Sequence, residues 1–195
     1  VVGGCPHLDE DPVACTHDLL ELAGEAGLPI DLHTDETLDA SVLGLVELAE
    51  MKLAGFEHDV TASHCVSLGM QSASEQQRIS ELVAEAGIAV VALPHTNLFL
   101  QGRGHAPMPR GLTAVAALRD AGATVAAGAD NLQDPFNPMG RACPFETASL
   151  MVMTAHLQPH EAWDAVSRNS AIATGHDPVG LVEGSRAHLV AARAD

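Results

Sequence analysis

Pro29-Ile30-Asp31-Leu32-His33, followed at once by Thr34-Asp35-Glu36, is a short strand-like run that ends in an imidazole and continues into carboxylates. The same kind of ending recurs along the chain. Thr61-Ala62-Ser63-His64 closes a second run, Pro94-His95-Thr96-Asn97 follows a third, and Ala127-Gly128-Ala129-Asp130-Asn131 closes a fourth. Histidines and carboxylates thus stand where otherwise apolar strands meet their following loops. Several strands that share one polar rim are the pattern of a sheet that carries chemistry at its carboxyl end.

Working outward, short apolar runs lie at Val1–Gly4, Pro29–His33, Asp59–His64, Ala89–Pro94 and Thr124–Asp130, with starts about 28 to 35 residues apart. Between them, Pro12–Gly27, Leu38–Gly55, Ser74–Gly87 and Gly111–Gly122 have helical periodicity and end in Gly, the residue suited to a left-handed helix terminus. Strand and helix in alternation predict βα units on a parallel sheet buried on both faces. After the fifth strand the pattern changes. Asn131–Gly140 reads as a loop, and helices are expected near Glu146–His156, Pro159–Ser167 and Asn169–Gly175, with a last strand at Ala187–Ala192. Five such units fit either an open doubly wound sheet or part of an eight-stranded barrel. The sequence has neither GxGxxG nor GxxxxGK[ST], and the polar residues at the strand ends favour the barrel.

The chain of 195 residues carries 9 Lys and Arg against 26 Asp and Glu, a net charge of −17. Lys52 is its one lysine, so a phosphate-binding footprint for nucleic acid is excluded and docking on anionic membranes is disfavoured. No apolar run approaches the ~20 residues of a spanning helix, and no leader-like segment opens the sequence. The expected setting is cytoplasmic. Cys5, Cys15, Cys65 and Cys143 form no CxxC pair and are expected to be reduced and mostly buried. The chain starts Val1-Val2 without methionine, within a strand, which suggests a part of a longer polypeptide.

His33, Glu36, His64 and Asp130, from the ends of three strands, make a mixed nitrogen and oxygen donor set suited to Zn²⁺ or Fe²⁺ in a metal-assisted hydrolase. His7 and His95 follow strands and are candidates to line the mouth, whereas His17, His58, His156, His160 and His176 read as surface residues.

Ile30–Glu36, Val60–His64, Asn97-Leu98-Phe99-Leu100-Gln101-Gly102-Arg103 and Gly128–Phe136 together resemble the cytosine deaminase branch of the amidohydrolase superfamily. Pro178–Ser185 is similar to that superfamily's return from barrel to β-sandwich. The resemblance implies a (β/α)8 TIM-type barrel, here a partial barrel covering about strands four to eight. Residues 1–186 would be barrel, and 187–195 the start of the return to a small sandwich. It implies His33 and Asp130 as ligands of one divalent ion, Zn²⁺ or Fe²⁺, with Glu36 as proton shuttle and His64 and Asp130 as further catalytic groups. Asn131, Phe136 and His95 would meet the substrate.

The implied reaction is hydrolytic deamination of an amino-substituted nitrogen heterocycle, cytosine or a similar base, by a metal-bound hydroxide. The family also uses an HxH pair on its first strand, and this sequence contains none, so the segment by itself is expected to be inactive. Asn131 stands where the enteric cytosine deaminase pattern has a second Asp, and Phe136 where it has Trp. An amide can donate as well as accept, which shifts the expected substrate away from strict cytosine preference. The alternatives are an amidohydrolase that removes an alkylamine or opens a cyclic amide, on a triazine- or ammelide-like substrate, and an inactive barrel fragment. The expected partners are a small heterocyclic substrate, no nucleic acid and no membrane, with a homo-oligomer left open.

Overall fold

A computed structural model describes residues 1–177 together with Gly180, Glu183, Gly184, Ala187 and 189–191. Five strands, β1 (Val2–Gly4), β2 (Ile30–Thr34), β3 (Val60–His64), β4 (Ala89–Ala92) and β5 (Val125–Ala127), form one sheet. All neighbours are parallel, and the spatial order is the chain order, β1-β2-β3-β4-β5. A doubly wound sheet reverses its strand order at a switch point. No reversal occurs here, so the strands wind in one direction only, as in a barrel wall.

The sheet separates two kinds of side chain. Ile30, Leu32, Val60, Ala62, Val90, Ala92, Val125 and Ala127 alternate along the strands and enter the buried core. There they meet Leu20 and Ala23 of α1 (Pro12–Ala26), Leu45 and Leu48 of α2 (Gly44–Leu53), and residues of the helices that follow β3 and β4. At roughly 1.5–3 kcal/mol for each fully buried aliphatic side chain, this layer dominates the favourable side of folding. The intervening residues face the other way. In register they run Asp31–Thr61–Ala89 and His33–Ser63–Val91–Ala126. That inner face is polar on β2 and β3, where an unpaired group would be costly if no partner or solvent reached it.

Some elements differ from the sequence-based expectation. The helix expected over Leu38–Gly55 begins only at Gly44. Its start is fixed by Asp35 at the end of β2, whose carboxylate accepts from the Gly44 and Leu45 backbone N–H groups at 2.9 Å each. After β3 come α3 (Val66–Gly69) and α4 (Ala73–Glu85). The fourth strand stops at Ala92, and Pro94 opens α5 (Pro94–Leu100) instead of ending the strand. Pro at the first helical position loses no intrahelical bond, so strand passes into helix almost without a loop. After α6 (Val115–Asp120) and β5 come α7 (Pro144–Ala155), α8 (Pro159–Val166) and α9 (Arg168–Ala173), close to the expected three helices. Of the four free cysteines only Cys65 is buried, and Cys5 is exposed. Of the strand expected at Ala187–Ala192, residues 187 and 189–191 are described and none lies in a strand, while most of Pro178–Ser185 falls outside the described residues. Among the described residues, no helix is long and apolar enough to cross a membrane.

Candidate active site

His33 leaves the inner face of β2. Its partner His64 is in register with Thr34, whose side chain is buried on the helix side, so plain alternation would send His64 there too. The backbone prevents this. His64 has φ of 68° and Cys65 φ of 47°, and this left-handed turn ends β3 and swings the imidazole toward His33. Asp130 also sits in the left-handed region, at φ 67°, just past β5. Both turns hold non-glycine residues in a costly conformation, which surrounding contacts must enforce.

The result is a tight cluster. His33 Nδ1 lies 2.8 Å from His64 Nε2, and His64 Nε2 lies 3.7 Å from Asp130 Oδ2. One donor atom from each of His33, His64 and Asp130 falls within 4.8 Å of the others. In a flat sheet β2 and β5, three strand spacings apart, would stand about 14 Å from each other at ~4.8 Å per strand. Side chains from these strands meet only if the sheet rolls over toward its inner face. Convergence at the carboxyl ends is therefore itself a sign of barrel-like curvature.

Glu36 completes the group. Its Oε1 is 3.4 Å from His64 Nδ1, and its backbone carbonyl accepts from the Gln101 side-chain amide at 3.3 Å. Burial, with a smaller push from the Asp130 charge, raises the Glu36 carboxyl to about 7. Burial and then the neighbouring His33 depress His64 to about 3. Burial also raises Asp130, opposed by His33 and by Thr96. A carboxyl poised near neutrality beside a neutral imidazole is suited to moving protons.

The other candidates are placed differently. Asn131 has both ends of its amide engaged: Oδ1 accepts from Thr96 Oγ1 at 2.9 Å, and Nδ2 donates to Asp134 Oδ2 at 2.7 Å. Phe136 is exposed on the same loop, which is pinned where Asp134 Oδ1 accepts from the Phe136 and Asn137 N–H groups. His95 is buried on α5, with Nε2 3.2 Å from Thr147 Oγ1 of α7, and belongs to the packing between those helices. His7 approaches from the β1 side, its Nδ1 2.9 Å from the His33 carbonyl oxygen. A cavity of about 350 Å³ lies one layer away, between α1, β2 and the start of α2. His7 and Asp35 line it, but none of His33, Glu36, His64 and Asp130 does. The chemistry therefore points to the cluster and not to this cavity.

Sequence reading missed Thr96, Asn97 and Asp134. The first two follow a strand that supplies no ligand; Thr96 stands out only beside His95, and Asn97 only as the start of the Asn97–Arg103 stretch.

A parallel sheet of barrel type with imidazole and carboxylate groups gathered at its carboxyl ends is an arrangement found in metal-dependent hydrolases. The chain belongs to the amidohydrolase family, whose model matches residues 3–195. It is 38% identical over 196 residues to a pterin deaminase of Rhizobium rhizogenes (strain K84 / ATCC BAA-868), covering 97% of this chain and 45% of that protein. The crystal structure of 5-methylcytosine deaminase from Klebsiella pneumoniae liganded with 5-fluorocytosine matches 95% of this chain and 47% of its own, with a TM-score of 0.86 and 32% identity. N-isopropylammelide isopropylaminohydrolase from Burkholderia multivorans ATCC 17616 follows with a TM-score of 0.75 and 30% identity over 95% of this chain and 46% of its own. The chain thus spans about half the length of these relatives.

Proposed function

We propose that this chain supplies strands four to eight, and most of the catalytic groups, of a barrel enzyme that hydrolytically deaminates an amino-substituted nitrogen heterocycle. In this reading residues 1–186 are barrel and 187–195 begin a small β-sandwich. The observation that carries it is the meeting of Glu36, raised to about 7, with His64 and Asp130 beside His33. The names of the pterin and 5-methylcytosine deaminases support a substrate with an amino group on such a ring.

The residues present fit a metal ion. Tetrahedral Zn²⁺ with ligands at about 2.0 Å needs donor atoms roughly 3.3 Å apart. The His33 and Asp130 donor atoms lie within 4.8 Å of each other, which is of that order. His33 and Asp130 would hold one divalent ion, Zn²⁺ or Fe²⁺, with further ligands from outside this sequence, which has no HxH. Bound there, the ion supplies water activation near neutral pH.

The chain's own groups carry the protons. Deamination replaces a ring C–NH2 by C=O and releases ammonia, with water as co-substrate. Asp130 accepts the water proton while His64 orients the water. Glu36 protonates the ring nitrogen as the carbon turns tetrahedral, and then helps deliver a proton to the departing amine. His64 donates a hydrogen bond to the developing oxygen. Asn131, with one N–H and one lone pair still free, and Phe136 contact the heterocycle. Four unpaired thiols accord with a cytoplasmic setting.

The ammelide hydrolase supports a second reading, release of an alkylamine by the same groups. The test is a substrate panel given to the polypeptide that joins this chain to the first three barrel strands, loaded with Zn²⁺ or Fe²⁺. Ammonia from a pterin, cytosine or 5-methylcytosine supports deamination, and isopropylamine from N-isopropylammelide supports the second reading. No product from any of them, with metal bound, overturns both.

A further inference from the structure

Asn97 sits in the first turn of α5, just past β4, the inner strand whose end contributes no donor to the cluster. Its neighbours each grip a different element: His95 meets Thr147 of α7, and Thr96 holds Asn131 after β5. Asn97 itself turns to the cluster. It is 1% exposed, and its Nδ2 lies 3.0 Å from His64 Nδ1 and 3.4 Å from Glu36 Oε1. The amide orientation follows from this network. With Glu36 ionised, the flipped amide would set two acceptors, Oδ1 and the Glu36 carboxylate, face to face. As it stands, both amide hydrogens have acceptors, and Oδ1 is buried with no hydrogen-bond partner. A buried orphan acceptor costs about 1–3 kcal/mol, which the two hydrogen bonds donated by the amide offset.

In a neutral histidine the nitrogen that accepts a hydrogen bond cannot carry the proton, so a partner at one nitrogen decides what the other does. We propose that Asn97 is a positioning residue that fixes the tautomer of His64. By donating to Nδ1 it leaves the proton on Nε2, and with its other hydrogen it holds Glu36 beside the same ring. Nε2 is the atom that faces His33 and Asp130, at 2.8 Å and 3.7 Å. His64 is thereby a hydrogen-bond donor into the gap between them, and the Nδ1 lone pair of His33 accepts from it. By distance alone His64 counts as a third metal-ligand candidate. The Asn97 amide makes it a donor and not a ligand.

The catalytic consequence rests on the deaminase reading above, but the tautomer is measured without metal or substrate. The experiment is an imidazole ¹H–¹⁵N correlation spectrum of the metal-free protein labelled with ¹⁵N-histidine, the His64 signals being assigned by their loss in His64→Gln. The expected result is protonated Nε2 and unprotonated Nδ1. In Asn97→Asp the new carboxylate accepts, and the His64 proton should move to Nδ1. An Nδ1–H tautomer in the wild type, or an unchanged tautomer in folded Asn97→Asp, overturns the proposal. If the variant does not fold, the wild-type spectrum alone decides. Failure of every substrate to react would remove the deaminase reading and leave this result standing.

Discussion

His33 Nδ1 and His64 Nε2 lie 2.8 Å apart although the two residues are 31 positions apart in the chain and in-register alternation would send their side chains to opposite faces of the sheet. The left-handed backbone at His64 and Cys65 brings them together. Such strain persists where the surroundings enforce it, and here the Cys65 N–H donates to the Thr34 carbonyl at 2.8 Å and the Val66 N–H to the Asp35 carbonyl at 3.0 Å.

The division of labour in the cluster predicts different losses. Replacing Glu36 by Gln leaves His33 and Asp130 untouched. In the polypeptide that also carries the first three barrel strands, metal content should stay at the wild-type level, while turnover falls at least about a hundredfold, the usual scale for a lost acid–base group. His33→Ala should lose the metal as well, as read by elemental analysis after dialysis. Equal metal loss in both variants would contradict the assignment.

Ionisation of Glu36 predicts a pH signature. Its carboxyl rises from 4.5 to about 7 in the folded chain, so the fold binds that proton more tightly than the unfolded chain does. The resulting stability is fully present below about 4.5 and is lost as pH rises through about 7. Glu36→Gln lacks this loss. Without metal, the variant should gain on the wild type between pH 4.5 and 7, by up to roughly 3 kcal/mol, and run parallel above that. His64 moves the other way, since its pKa is depressed, and it removes stability from both proteins as pH falls below 6.5. The difference between thermal melts therefore isolates Glu36. Melting curves that stay parallel throughout would count against its perturbed environment.

Asp35 predicts a structural cost rather than a catalytic one. It anchors the start of α2 through two backbone N–H groups, in a left-handed conformation at φ 51°. Asp35→Ala leaves both donors without a partner and should cost roughly 1–3 kcal/mol in urea unfolding. Asp35→Asn tolerates the backbone and keeps an acceptor, and should cost less. An Ala variant as stable as the Asn variant would show that the cap is unimportant.

Thr96→Val removes the hydroxyl that engages Asn131 at both Oδ1 and N–H. The shape is nearly unchanged, but the Asn131 N–H and Oδ1 lose their buried partner, so stability should fall by roughly 1–2 kcal/mol. Asn131 should turn in a crystal structure, and KM for the heterocycle should rise about tenfold, or ~1.4 kcal/mol. An unchanged KM would remove Asn131 from the substrate contacts.

Much of this was legible in the residues. The five strands, their parallel sense and the gathering of His33, Glu36, His64 and Asp130 follow from apolar runs that end in polar residues. Other features were not. Strand periodicity does not reveal that His64 reverses its direction, because the cause is a backbone angle set by contacts with Thr34 and Asp35. Nor does it reveal that Pro94 starts a helix at the strand end, which is what carries Thr96 and Asn97 into the site. His95 drew notice as an imidazole after a strand, yet the helical turn points it at Thr147. Asp134 reads as an ordinary loop acid until its bonds to Asn131, Phe136 and Asn137 are seen.

His33 and Asp130 are proposed to hold one catalytic divalent ion, with Glu36 beside it. The most direct measurement is an anomalous difference map from crystals of the Zn²⁺-loaded protein, collected on both sides of the zinc absorption edge. The account predicts a single strong peak within coordination distance, about 2.0–2.2 Å, of His33 and Asp130, with the Glu36 carboxylate uncoordinated. A zinc peak elsewhere, with His33 and Asp130 unliganded, would contradict it.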